Sequence, residues 1–159
     1  MENSTSTHLD GIADYSSALD TLCKLAQHSL MLFEQDLEGM GFNSEARYES
    51  LRRFLLGGRN NRLRVLVQDA QYLTNACPRM AMLLRQFDDR IAIHRSTKLQ
   101  TTDPFCVVDS AHYARRFHFD DPRGLLVSND PENARLLESR FDEMWENSRP
   151  AMSTTTLGL

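Results

Sequence analysis

The feature that most constrains this chain is a repeated change of hydrophobic period in its first hundred residues. Tyr15, Leu19, Leu22, Ala26 and Leu30 fall at helical spacing, with Cys23 and Leu25 widening the stripe. Asp14 is placed to cap that helix, which is expected to end near His28 or Ser29. The run from Leu30 to Leu37 is short and apolar, turns polar at Glu34, and reads as a strand. Gly39, Gly41 and Asn43 then break the chain, and Ser44 caps a second helix carrying Ala46, Leu51, Phe54 and Leu55. Gly57-Gly58 end it. Leu63–Val67 is the next strand. A third helix with Met80, Leu83, Leu84 and Phe87 on one face follows, with Pro78 in its first turn, and Ile91–His94 is the third strand. Helices alternating with strands predict right-handed β-α-β units around a parallel sheet.

Beyond residue 100 the period changes again. Phe105–Asp109, His112–Phe119 and Leu125–Val127 read as strands joined by short turns, so antiparallel pairing is expected there. Asn129 or Asp130 caps a last helix that starts at Pro131, with Leu136, Leu137, Phe141 and Trp145 as its stripe. The expected class is α/β, a mixed sheet flanked by helices in one domain over residues 14–148. Residues 1–13 read as a flexible leader and 149–159 as a tail.

Composition excludes several classes. The net charge of −4 argues against broad nucleic-acid contact, and no apolar run approaches the length of a membrane span. Cys23, Cys77 and Cys106 form no C-x-x-C pair and read as buried free thiols. With no secretory signal, they point to the cytoplasm. There is no G-x-S-x-G, no phosphate loop, no G-x-G-x-x-G and no H-E-x-x-H. The five histidines show no metal spacing, and neither a metal nor a cofactor is expected.

Two constellations remain. Asp36, Asp69 and Asp109 each close a strand, where open α/β sheets gather their ligands. Three acids there would hold a metal or orient a base, or each simply caps the turn that follows it. In the segment 112–119, alternation puts Tyr113, Arg115, Phe117 and Phe119 on one face, and Arg116 and His118 on the other. Arg116 beside His118, with Arg115 next to them, is an anion grip in outline, because a guanidinium offers a fork of donors and an imidazole adds one. The alternative pairs Arg116 with an acid and leaves His118 solvated.

The run of strands ending in Asp36-Leu37, Gln68-Asp69, Ile91-Ala92-Ile93 and Phe105–Asp109, closed by Asn129-Asp130-Pro131 and Phe141–Trp145, resembles one half of the phospholipase D-like fold. The resemblance covers residues 20–148. Active members of that family carry His-x-Lys and, four residues on, Asp. Aligned on Asp109, the histidine falls on Thr102 and the lysine on Pro104. The family's Gly-Ser-x-Asn falls on Arg115-Arg116-Phe117-His118. The resemblance therefore implies a degenerate member, similar to a group of uncharacterised bacterial proteins. It points to a non-catalytic module for a phosphate-bearing ligand or a protein partner, often paired as a homodimer. The competing expectation is a phosphodiesterase or nuclease-type enzyme with a rebuilt site, using His118 as nucleophile or base. A third is docking of the tail through Leu157 and Leu159.

Overall fold

The computed structural model describes residues 3–98 and 101–152. One eight-stranded mixed sheet runs through it. Its strands are β1 (Thr5–Asp10), β2 (Ser29–Glu34), β3 (Arg62–Val67), β4 (Ile91–Ser96), β5 (Phe105–Val108), β6 (His112–His118), β7 (Asp121–Ser128) and β8 (Ser148–Met152). Across the sheet the order is β1-β7-β6-β5-β2-β3-β4-β8. The pairs β2–β3 and β3–β4 are parallel and every other pair is antiparallel.

The helices are α1 (Ile12–Leu25), α2 (Glu45–Leu56), α3 (Gln71–Ala76), α4 (Pro78–Gln86) and α5 (Pro131–Glu146). Helix α1 buries Tyr15, Ala18, Leu19, Leu22 and Cys23, the 3–4 spacing of a helix lying on a sheet. With α2 and α4 it covers one face, over Leu30, Leu32, Leu63, Val65 and Ile93. On the other face, α5 packs Ala134, Leu137, Phe141 and Met144 against Phe33, Leu66, Phe105 and Val107. Leu136, expected in that stripe, is 64% exposed.

The sheet is wider than expected at both edges. Residues 5–10, read as part of a flexible leader, form β1 along β7, from Thr5 opposite Ser128 to Asp10 opposite Arg123. Their side chains are mostly exposed, so the ladder of backbone hydrogen bonds holds the strand, with Leu9 its one buried anchor. Residues 149–152, read as tail, form β8 with Ser148 on the far edge. The rest of that tail, Leu157 and Leu159 included, lies outside the described residues.

Capping follows the sequence in two helices. Ser44 accepts the amide of Arg47, and Asp130 that of Asn133. In α1 the cap is Gly11, and Asp14 sits one turn in, where its carboxylate accepts the Asp10 amide at 3.1 Å. The expected third helix is α4, with Pro78 in its first turn, and an unexpected short helix, α3, precedes it and stops before Cys77, because the residue before a proline is pushed out of helical geometry. No described helix is long and apolar enough to cross a membrane.

Candidate functional site

Strand direction decides which candidate residues meet. Parallel β2, β3 and β4 bring their carboxyl ends to one edge of the sheet. Strand β6, two antiparallel steps from β2, ends there too. Asp36, Asp69, Arg115, Arg116 and His118 therefore share that edge.

Asp109 does not. Strand β5 runs against β2, with Val108 opposite Leu30, so Asp109 closes at the other end of the sheet. Its carboxylate accepts the amides of Gln27, His28 and Ser29 at 2.9, 2.7 and 3.0 Å. It pins the turn between α1 and β2, and the expected cluster of three acids is not formed. Grouping Asp109 with Asp36 and Asp69 required β5 to run parallel to β2, and it runs antiparallel.

Arg116 is also corrected. It points into the α1 side of the core and is 2% exposed. There its guanidinium hydrogen-bonds the Glu34 carboxylate, itself fully buried at the end of β2, and lies 5.0 Å above the Tyr15 ring. A second donor reaches the Phe119 carbonyl at 3.3 Å. The Glu34 Oε2, Arg116 Nε and Tyr15 hydroxyl have no hydrogen-bond partner among the described residues. Burial pushes the Glu34 carboxyl up to about 7, against the opposing pull of Arg116. Burial, with Glu34 beside it, holds the Tyr15 hydroxyl well above its ordinary value. Arg116 is thus committed to an internal ion pair and is not free for a ligand.

The alternation that put Phe117 in the core fails because the β6–β7 register shifts between Arg116 and His118. Phe117 is 49% exposed, while Phe119 packs on Phe33 with ring centres 5.6 Å apart. Gly124 makes the close approach of β7 possible, since a Cβ there would lie 2.0 Å from the Arg115 carbonyl oxygen.

The remaining predicted residues keep local roles. The Asp36 carboxylate accepts the Glu38 amide at 3.0 Å, and that of Asp69 the Gln71 amide at 2.9 Å. Both cap the turn that follows their strand. Arg115 is half-buried, 4.0 Å from the Asp103 carboxylate. His118 is exposed, and its Nδ1 accepts the Asp120 amide at 3.0 Å. A lone pair used in that way leaves the neutral ring's proton on Nε2, so Nε2 is a donor. Past the ends of β3 and β4 opens a cleft of about 540 Å³ lined by Gln68, Asp69, Gln71, Thr74, Asn75 and Arg95.

Sequence reasoning missed Glu34, Tyr15 and Arg95. A glutamate ending an apolar strand was the one available signal for the first. The positions aligned with the family's histidine and lysine, Thr102 and Pro104, do lie at this edge, just before β5. Pro104 is buried and its carbonyl accepts the Arg116 amide at 3.0 Å. Among the described residues no group of three His, Cys, Asp or Glu side chains is placed to hold a metal ion.

With this geometry in view, a family model described as a domain of unknown function, DUF7931, matches residues 12–157. The chain belongs to that family. The sequence matches none of the curated proteins. The DUF7931 fold is similar to that of Nuc from Salmonella typhimurium, a phospholipase D family member. The TM-score is 0.66 at 12% identity, over 95% of this chain and 100% of that one. It is also similar to NucT from Helicobacter pylori, with a TM-score of 0.62 at 10% identity over 93% and 99%. TrmBL2, an archaeal chromatin protein whose structure shows a mode of DNA binding, gives 0.67 at 13% identity over 92% of this chain. The chain spans about half of TrmBL2, 54% of its length. At these identities the likeness is one of fold, and the DUF7931 domain has a phospholipase D-like α/β fold with a mixed sheet.

Proposed function

We propose that this chain is a non-catalytic binding module that takes a phosphate-bearing ligand along the carboxyl-end edge of its sheet. The observation that carries this reading is the state of His118. At the edge where the resembling enzymes place their nucleophile, this histidine presents an N–H rather than a lone pair. A donor binds a phosphate oxygen and does not attack phosphorus. Thr102 and Pro104, in the positions of the family's histidine and lysine, support the same reading.

The donors along the edge are His118, Arg115, Gln68 and Arg95. From β6 to β4 there are four strand spacings, about 19 Å. A single phosphate cannot touch both ends of that row, whereas several linked phosphates can. The described DNA binding of TrmBL2 is consistent with such a ligand. The net charge of −4 argues against contact over the surface at large. A cytoplasmic location and a homodimer paired across the edge belong to the same proposal.

The test is a fluorescence-anisotropy titration with a labelled single-stranded oligonucleotide, run beside inorganic phosphate and a chromogenic phosphodiester. The expected result is saturable, salt-sensitive binding of the oligonucleotide that Arg95→Ala and Arg115→Ala each weaken, with no turnover. Turnover abolished by His118→Ala would establish the rebuilt enzyme instead. Failure of all three to bind would turn the proposal toward a protein partner.

A further inference from the structure

At the opposite end of the sheet from the site just described, α1 and α2 finish side by side above the start of β2. Between them is a cavity of about 330 Å³. That volume lies in the range of small-molecule sites. Three basic side chains, Lys24, His28 and Arg53, line it, and no carboxylate does. Among the described residues none of the three forms an ion pair, although seven arginines elsewhere in the chain do. In a chain of net charge −4, a pocket whose charged lining residues, Lys24 and Arg53, are both cations is a local reversal of sign.

Helix ends explain part of this arrangement. Lys24 and Arg53 each sit in the last turn of a helix, where the dipole favours a cation. That accounts for each residue alone, but not for both opening on one cavity. Nor do the helix-end carbonyls neutralise them. The Leu22 carbonyl accepts the Ala26 amide, and those of Arg53 and Phe54 accept the Gly57 amide. Asn61 Nδ2 adds a bond to the Phe54 oxygen at 2.7 Å. Arg90 takes the Leu55 oxygen at 2.8 Å. The nearby Asp109 carboxylate is occupied by the amides of Gln27, His28 and Ser29. None of the three basic side chains therefore has an ion-pair partner among the described residues. The floor is apolar on one side, at buried Phe54, and carries the buried polar side chains of Ser50 and Asn61 on the other.

We propose that this cavity is a binding site for a small phosphate monoester with an apolar body, of mononucleotide size. Its phosphate lies between Lys24, Arg53 and His28, and its body lies on Phe54. A guanidinium and an ammonium bind a dianionic phosphate through charge-assisted hydrogen bonds, and the aromatic floor takes up apolar area. The 330 Å³ volume favours a small ligand over a polymer.

The experiment is calorimetric titration of the full chain with adenosine 5′-monophosphate, ribose 5-phosphate, adenosine and a 20-residue single-stranded oligonucleotide. It is repeated on Lys24→Glu, Arg53→Glu and Lys24→Arg. Both positions are exposed, so the charge reversals leave the core intact. Circular dichroism and thermal melting check that directly. The expected result is saturable binding of the monophosphate and weaker binding of ribose 5-phosphate. Adenosine gives no signal. Each charge reversal weakens the monophosphate about tenfold or more, equal to one lost charge-assisted contact, and Lys24→Arg keeps it. Unchanged affinity in both reversal variants, binding of adenosine as tight as that of its phosphate, or silence from every monophosphate overturns the proposal. Binding of the oligonucleotide alone through these residues also overturns it, in favour of a polyanion groove.

Discussion

Replacing Arg116 by methionine isolates the buried pair at the end of β2. Both partners are out of water, Glu34 fully and Arg116 at 2% exposure. Removing the guanidinium leaves a carboxyl in an apolar site without its counter-charge, at a cost of about 3–5 kcal/mol near pH 8. With a urea dependence of about 2 kcal/mol per molar, the unfolding midpoint falls by about 2 M. The cost depends on pH because of Glu34. Its carboxyl, ordinarily at 4.5, is pushed up to about 7 by burial. Between those values the folded chain holds a proton that the unfolded chain has released. Stability therefore falls as pH rises from about 4.5 to 7 and is flat above, a total of about 3 kcal/mol from this group. In Arg116→Met the main opposing pull on that carboxyl is gone, so the protonated form persists to higher pH. The penalty is then smaller at pH 5 than at pH 8. Glu34→Gln removes the titration, and the double variant Glu34→Gln/Arg116→Met recovers most of the lost stability, since no buried charge remains. Urea unfolding followed by circular dichroism at pH 5 and pH 8 reads all four proteins. A loss below about 1 kcal/mol at pH 8 for Arg116→Met, or an unchanged pH slope in Glu34→Gln, refutes the reasoning.

Three further outcomes are expected. Asp109→Ala frees the amides of residues 27–29 and lowers stability by about 2–3 kcal/mol in urea unfolding, while oligonucleotide binding at the opposite edge is unchanged. Gly124→Ala forces a Cβ against the Arg115 carbonyl and costs more than about 3 kcal/mol, read as a collapse of the thermal transition or loss of soluble protein. Asp130→Ala removes the cap of α5 and the acceptor of the Tyr113 hydroxyl, and lowers stability by about 1–2 kcal/mol in the same unfolding assay.

The parts of this fold that were legible in the sequence are those whose hydrophobic period reports their surroundings. Helix α1 and strands β2, β3 and β5 have one-sided or continuous apolar patterns, and they form where those patterns put them, although α1 stops at Leu25, short of its expected end near His28, and β2 stops at Glu34, short of Leu37. Strand β1 has no such pattern. Thr5, Ser6, Thr7 and His8 are held by backbone pairing at an edge, which polar composition does not reveal. The candidate site was less legible for two physical reasons. Alternation presumes an unbroken ladder, and the shift after Arg116 turns Phe117 out of the core to which alternation assigned it. Ion pairing is not local, and Glu34 meets Arg116 across 82 residues. Asp109 was misplaced because a strand's apolar run carries no sign of its direction.

The position of β1 has a consequence during synthesis. Its partner is β7, and Thr5 bonds Ser128 across 123 residues. On a ribosome adding about 5–20 residues per second, the first strand made waits roughly 6–25 seconds before its partner exists. For that interval it is an unpaired edge in a crowded solution, where an apolar strand would recruit its neighbours. Five polar side chains among its six residues keep it from doing so. The composition that hid this strand from hydrophobic patterning is what keeps the nascent chain from aggregating.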